Sequence, residues 1–321
     1  MFSSFKNYLS VSGDITPTIT QSASGLEYYF GATAAKGTPY SFSIASKSTL
    51  KNYTFTSQNN VSFSINPKTL SVEWSTSTGN LTDVYDGQEK TITLSIVGFV
   101  NAEKYTSSYF TTNCSVASYD NSVAGTLKLV FKAKDSGVYN IIVSKFNNSN
   151  YSFNTTSKTY TVNPKALTAT WVGSSSTYSG QEQGYDLIIT GMINNDINSI
   201  KNSLLCTGDI TPKITSDTTR ITYSFKAIDA GEYSVCVKAN SVLKNYTLIQ
   251  QTKTFEIEQR VVTVNQISSD GSVSFLNLVS GESIANYKLE VFSDANHENM
   301  VSTWVEDGVY YYVFELLSTK N

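Results

Sequence analysis

The chain has 321 residues, 40% of them hydrophobic and 12% aromatic, which is enough apolar surface for several small cores. Charged residues make up only 15%, so solvation falls to the abundant Ser, Thr and Asn, a neutral polar surface suited to an exposed protein. A net charge of −3 and a pI near 5.3 leave no basic footprint for nucleic acid or an anionic membrane. No run reaches the ~18 apolar residues that span a bilayer, and Met1-Phe2-Ser3-Ser4-Phe5-Lys6 has no signal-peptide pattern.

Residues 1–66 read as an incomplete first copy of a repeat. Phe2, Phe5 and Leu9 stand at helical spacings, and Gly13-Asp14-Ile15-Thr16-Pro17 then returns 195 residues later as Gly208-Asp209-Ile210-Thr211-Pro212. Leu26, Tyr28, Phe30 and Ala32 return at the same offset as Ile221, Tyr223, Phe225 and Ala227. Apolar side chains at every second position predict a strand with one face on a core and one in water. Gly37-Thr38-Pro39-Tyr40, Asn52-Tyr53 and Phe63-Ser64-Ile65 close this copy. Because it begins part-way through the repeat, it is expected to leave a strand edge unpaired. The chain is accordingly expected to be a fragment of a longer protein that carries its targeting signals elsewhere.

The second copy, residues 67–163, and the third, residues 164–258, are complete. They open at Asn66-Pro67-Lys68-Thr69-Leu70 and Asn163-Pro164-Lys165-Ala166-Leu167. Proline cannot donate to a ladder and is confined to strand starts and edges, so it marks the joints. The linkers are nearly of zero length, which favours an elongated rod over beads on a string. Leu70, Val72 and Trp74 share a face, as do Leu167, Ala169 and Trp171. The turns Tyr85-Asp86-Gly87-Gln88 and Tyr178-Ser179-Gly180-Gln181 follow, then Ile92, Leu94 and Ile96, or Leu187 and Ile189. Ile197, Ile200 and Leu204 predict a short helix, which Tyr105 and Tyr109 match in the second copy. Leu127, Leu129, Phe131 and Ala133 alternate again.

Each copy ends on a glycine-linked tyrosine, Tyr40, Tyr139 or Tyr233, which recurs after 99 and then 94 residues. An Asn-Tyr pair and a closing strand follow it. A period near 95 residues means that each copy is a domain with its own core rather than a solenoid turn. Residues 259–321 read as a degenerate or truncated fourth copy, with Val262, Val264, Ser269-Asp270-Gly271, Asp307-Gly308-Val309-Tyr310, Tyr312 and Phe314, and no closing Asn-Tyr strand.

The pattern Asp-x-Gly-x-Tyr-x-(Val/Ile) in 229–235 and 135–141 resembles the tyrosine corner of immunoglobulin-like sandwiches. Val235 and Ile141 stand where those domains carry a core cysteine. Taken with the Pro-Lys-x-Leu opening, the Trp, the Tyr-Asp/Ser-Gly-Gln turn and the Asn-Tyr hairpin, each full copy is similar to the YDG/MBG-type repeats of large bacterial surface proteins. Ser179 departs from that motif. The resemblance implies a mainly β chain of tandem small sandwiches, extracellular at a cell surface or cell wall, within an adhesin or stalk. A β-grasp-like fold is the alternative, because it would accommodate one short helix per repeat.

Chemistry is sparse. His297 is the single histidine, which removes His-based triads and poly-His metal sites. Asp135 and Asp229 recur, but turn chemistry explains them. No calcium loop, phosphate loop or cysteine cluster occurs, so neither an enzyme nor a cofactor or metal is expected. Cys206 and Cys236 fall in one copy while Asn113 and Ile142 take their places in the other, so the architecture does not need that bridge. Tyr139 and Tyr233 with Gly137 and Gly231, Tyr85 with Gly87, and Tyr178 with Gly180 read as architecture. Trp74 and Trp171 are either stacking platforms or core residues, and Tyr310, Tyr311 and Tyr312 are a candidate exposed patch. The expected function is a structural surface module that spaces or presents a binding region, with neighbouring repeats as partners. The alternative is a carbohydrate- or host-protein-binding module using these rings.

Overall fold

A computed structural model describes residues 5–48, 52–100, 103–193, 196–268, 272–284, 287–292, 295–300 and 311–316. The chain divides into two compact units, Met1–Lys165 and Ala166–Asn321. Phe2, Tyr310 and the turns Ser269-Asp270-Gly271 and Asp307-Gly308-Val309-Tyr310 lie outside the described residues.

The first copy has five strands, β1 (Leu9–Gly13), β2 (Thr18–Gln21), β3 (Leu26–Tyr29), β4 (Tyr40–Ser46) and β5 (Gln58–Phe63). β1, β4 and β5 form one antiparallel sheet, and β2 and β3 form a separate hairpin.

The second copy holds β6 (Lys68–Thr69), β7 (Ser71–Thr76), β8 (Thr82–Val84), β9 (Lys90–Val97), β10 (Phe110–Thr112), β11 (Ser118–Asp120), β12 (Thr126–Ala133), β13 (Gly137–Phe146), β14 (Tyr151–Ser152) and β15 (Thr156–Asn163). One sheet runs β11-β12-β9-β7, the other β10-β13-β15-β8. Its core follows from the alternation: Ile92, Leu94 and Ile96 of β9 register against Phe131, Leu129 and Leu127 of β12, and all six are at most 2% exposed. Ile141, Val143, Tyr160 and Val162 of the other sheet complete it. Each such side chain contributes about 1.5–3 kcal/mol on leaving water.

The opening strand of this copy is split between the two sheets. β7 pairs antiparallel with β9, whereas β8 crosses over and runs parallel to the closing strand β15. That order, with a first strand that switches sheets, is an immunoglobulin-like sandwich. It decides against the β-grasp alternative, because two sheets supply the core and the helical insert is only a 3₁₀ turn, Ser107–Tyr109.

The third copy repeats the arrangement with β16 (Lys165–Ala166), β17 (Thr168–Ser174), β18 (Gln183–Thr190), the helix α1 (Ile197–Asn202), β19 (Leu204–Gly208), β20 (Lys213–Ser216), β21 (Arg220–Ala227), β22 (Gly231–Ala239), β23 (Tyr246–Thr247) and β24 (Gln251–Ile257). Its sheets are β17-β18-β21-β20 and β19-β22-β24, and a parallel bridge from Thr177 to Glu258 stands in for the short switching strand. α1 lies where the spacing of Ile197 and Ile200 predicts it, and both side chains are buried. Two hairpins follow, β25 (Thr263–Ile267) with β26 (Val273–Leu276), and β27 (Tyr287–Phe292) with β28 (Tyr311–Leu316).

The recurring Gly-Asp pair ends a strand. Gly13 closes β1 and Gly208 closes β19, and a Cβ there would sit 2.3 Å from Ser41 O and 2.1 Å from Ser234 O. With φ of +127° and +122°, both positions favour glycine on two counts. The next residue holds the corner: Asp14 and Asp209 donate their amides to those carbonyls, each at 2.9 Å. Their carboxylates accept the Ser41 and Ser234 amides at 2.8 and 2.7 Å. In the second copy Asn113 does the same with Ile142, and β10 is correspondingly only three residues long.

Candidate functional site

The recurring tyrosines hold loops. Tyr139 Oη donates to Asp135 O at 2.7 Å, Tyr233 Oη to Asp229 O at 2.8 Å, and Tyr40 Oη to Ala34 O at 2.8 Å. This is the bond of a tyrosine corner, with Gly137 and Gly231 opening the strands that carry the two later rings. The phenols engage the main-chain carbonyls of Asp135 and Asp229 rather than their carboxylates.

A second phenol network was not legible in the sequence. Tyr151 and Tyr246, the tyrosines of the Asn-Tyr pairs, are buried, and each accepts a loop amide: Val100 N at 2.8 Å and Ile193 N at 3.0 Å. Each also donates to an acid of the same loop. Tyr246 Oη lies 2.7 Å from Asp196 Oδ2, and Tyr151 Oη bonds Glu103. Tyr105 Oη also donates to Glu103, at 3.2 Å, and receives Asn148 Nδ2 at 3.0 Å. Burial first, then the Glu103 charge, pushes the Tyr105 phenol up. The only sequence signal would have been the matched spacings Val100 to Glu103 and Ile193 to Asp196.

Trp74 on β7 and Trp171 on β17 are half-buried rather than open platforms. Trp74 Nε1 donates to Thr156 Oγ1 at 2.9 Å, and its ring packs 6.1 Å from that of Phe131. Trp171 stands 5.7 Å from Phe225 at the matching place. Tyr85 is buried and ties its amide to Asn163 O at 2.8 Å, as Tyr178 does to Glu258 O at 2.8 Å. Gly87 and Gly180 take φ of +76° and +71° in those turns. Of the terminal tyrosines, Tyr311 and Tyr312 lie in β28, and the Tyr312 side chain is 51% exposed.

Grooves flank the third sandwich, and two of them are the larger. One, of about 500 Å³, is lined by Asp209, Glu232, Tyr233, Thr254, Phe255 and Glu256. Of its three acids, Asp209 is already engaged by the Ser234 amide. The other, of about 350 Å³, lies between the third copy and the hairpin β25–β26. Arg260 bridges it, donating to Asn277 O at 2.5 Å and to Tyr178 O at 3.4 Å, while Tyr178 Oη bonds Glu282. Among the described residues no group of three His, Cys, Asp or Glu side chains could hold a metal ion.

Cys114, Cys206 and Cys236 are free thiols. Cys206 registers with Val237 and Cys236 with Thr207 on the paired strands β19 and β22. Adjacent strand positions point to opposite faces, so Cys206 and Cys236 cannot bridge without moving the backbone. Burial, with a lesser effect of Cys236, pushes the Cys206 thiol up to about 11.

No family model matches the sequence, and no curated protein matches it. Among solved structures, the chain is similar to invasin, a bacterial integrin-binding protein, at 12% identity and a TM-score of 0.32, covering 96% of this chain and 72% of that one. It is also similar to the Yersinia pseudotuberculosis adhesin InvE, at 12% identity, a TM-score of 0.28 and coverages of 75% and 74%. The Escherichia coli adhesin FdeC gives 14% identity, a TM-score of 0.24 and coverages of 78% and 84%. Superpositions at these scores carry no weight here, and the strand order alone carries the fold.

Proposed function

We propose that this chain is a non-enzymatic module of a bacterial surface protein of the adhesin kind. In this reading residues 1–66, 67–163, 164–258 and 259–321 are successive domains that space or present a binding region outside the cell. The carrying observation is the parallel pairing of β8 with β15, an entry strand beside an exit strand. Tension applied to the two ends of such a domain pulls these strands in opposite directions along their own axes. Their hydrogen bonds, Thr161 N to Leu81 O at 3.0 Å and Tyr85 N to Asn163 O at 2.8 Å among them, are then loaded together in shear rather than one after another. The parallel bridge from Thr177 to Glu258 puts the third sandwich under the same loading. The carboxylates of Asp14 and Asp209 accept main-chain amides and those of Glu103 and Asp196 accept phenols, which favours architecture over catalysis. The likeness to YDG/MBG-type repeats belongs to this proposal.

Single-molecule pulling tests it. Separate force peaks are expected for the second and third sandwiches, each releasing on the order of 30 nm of chain. Thr161→Pro, which removes the donor to Leu81, is expected to lower the second-sandwich peak alone. Smooth extension without peaks, or a second-sandwich peak unchanged by Thr161→Pro, would contradict the spacer reading. Glycan or host-protein recognition through Trp74 and Trp171 is less well supported, because both rings pack against core phenylalanines and the Trp74 N–H has an internal partner.

A further inference from the structure

The tyrosine of the second copy's Asn-Tyr pair is explained inside its own sandwich, because the Tyr151 phenol holds the Val100 amide. The asparagine before it is not. The Asn150 amide donates to Asn148 Oδ1 at 2.9 Å, and the Asn150 carbonyl accepts the Lys68 amide, one residue past the Pro67 joint, at 2.9 Å. Its side chain leaves the sandwich: Asn150 Oδ1 accepts the Ala35 amide of the first copy at 2.7 Å. Asn148 Nδ2 in turn donates to Tyr105 Oη at 3.0 Å, which braces the acceptor's loop against the aromatic cluster of Tyr105, Phe146 and Tyr151.

The donor is held just as firmly. Tyr40 Oη binds Ala34 O at 2.8 Å, and in a planar trans peptide the carbonyl of Ala34 and the N–H of Ala35 point in opposite directions. Fixing one side of that peptide group on the tyrosine corner therefore aims its other side at Asn150. Ala35 is 7% exposed, so the place suits a small side chain. The other unit has the same geometry. Ala230 follows the Asp229 carbonyl that Tyr233 holds, and it lines the groove against the hairpin β25–β26. In each unit an alanine just after the phenol's acceptor carbonyl faces the copy that follows.

We infer that the tyrosine corner is the docking face that one sandwich offers to the next, and that Asn150 is the receptor residue which fixes the first copy on the second. Its partner is a peptide N–H presented by a corner, followed by a small side chain. The inference shares with the proposed function the division into residues 1–66 and 67–163, but it is independent of the shear loading of β8 and β15. Thr161→Pro is accordingly expected to leave this joint unchanged.

Amide hydrogen exchange and residual dipolar couplings on the full chain test it. In the parent chain the Ala35 amide is expected to exchange slowly, and the amides of β1 and β4 to share one alignment tensor with those of β9 and β12. Asn150→Ala is expected to speed Ala35 exchange by about tenfold, the worth of one hydrogen bond, and to lower the order of the first copy relative to the second. The Val100 and Lys68 amides are expected to keep their rates. Asn150→Asp retains an acceptor oxygen and is expected to leave Ala35 slow. Separate tensors in the parent chain would overturn the inference, and that reading needs no substitution, so it decides the matter even if Asn150→Ala does not fold. An Ala35 rate unmoved by Asn150→Ala, or raised equally by Asn150→Asp, would overturn it too. So would Val100 and Lys68 speeding up along with Ala35, since that marks collapse of the 148–150 loop instead of loss of a receptor.

Discussion

The first and third copies share their corners and differ in their cores. Gly13-Asp14 and Gly208-Asp209 make the same two backbone contacts to the strand beside them, and Tyr40 and Tyr233 both tie back to a preceding carbonyl. Yet Phe225 is 0% exposed while Phe30 is half-buried. Strand ends and corners are therefore set by local contacts, whereas burial depends on which strands lie alongside.

The sharpest way to break this comparison is to truncate the paired phenylalanines. Phe225→Ala is expected to cost the third sandwich about 3–5 kcal/mol, read from urea unfolding by Trp171 fluorescence. Phe30→Ala is expected to cost the first copy only about 1 kcal/mol, read from hydrogen exchange of β4 amides. Equal losses would mean that the two cores are equally closed.

Glycine substitution sharpens the other half of the comparison. Gly208→Ala and Gly13→Ala each force a Cβ onto a carbonyl at positive φ, and each is expected to destabilise its own copy by about 1–3 kcal/mol. Similar losses in both copies, measured by the same two probes, confirm that the corner works without a closed core. A loss confined to the third copy would refute that.

A smaller effect of opposite sign comes from Tyr223, whose buried phenol oxygen has no hydrogen-bond partner. Leu129 fills the same place in the second sandwich. Tyr223→Phe is expected to stabilise the third sandwich by about 1 kcal/mol in the urea experiment. The half-buried Tyr28 is expected to show no gain from the same change.

The smallest effect is electrostatic. Burial first, then the bond to Asp83, pushes the Tyr160 phenol up to about 12, and Tyr160 in turn holds the Asp83 carboxyl below the usual range. The fold favours the neutral phenol, so its stabilisation is complete below the ordinary tyrosine pKa of about 10 and is lost as pH rises through 12. A tyrosinate absorbance titration, compared between the parent chain and Tyr160→Phe, is expected to show a late ionisation there, which Asp83→Asn moves to lower pH. An unmoved late ionisation would remove Asp83 from the explanation.

Much of this was legible because it repeats. Alternation at Leu127, Leu129 and Phe131 specified a strand with a buried face, and Asp-x-Gly-x-Tyr specified a corner, since both are short-range patterns. The split of the opening strand between β7 and β8 was not legible, because no local residue pattern separates an immunoglobulin-like sandwich from a β-grasp. Nor was the role of Glu103, whose partner Tyr151 lies 48 residues away. The tryptophans were ambiguous for a related reason: phase placed them toward a core, but only the contacts to Phe131 and Thr156 show how far Trp74 is covered.

The central claim is that each complete repeat closes its own core, and the chain carries a convenient reporter for each, Trp74 in the second and Trp171 in the third. The most direct test places Ile92→Ala in the full chain, with Trp304→Phe and either Trp74→Phe or Trp171→Phe, and follows urea unfolding by the remaining tryptophan. The Trp74 transition is expected to fall by about 2–5 kcal/mol while the Trp171 transition keeps its midpoint. Both transitions moving together would show one shared interior and contradict the account.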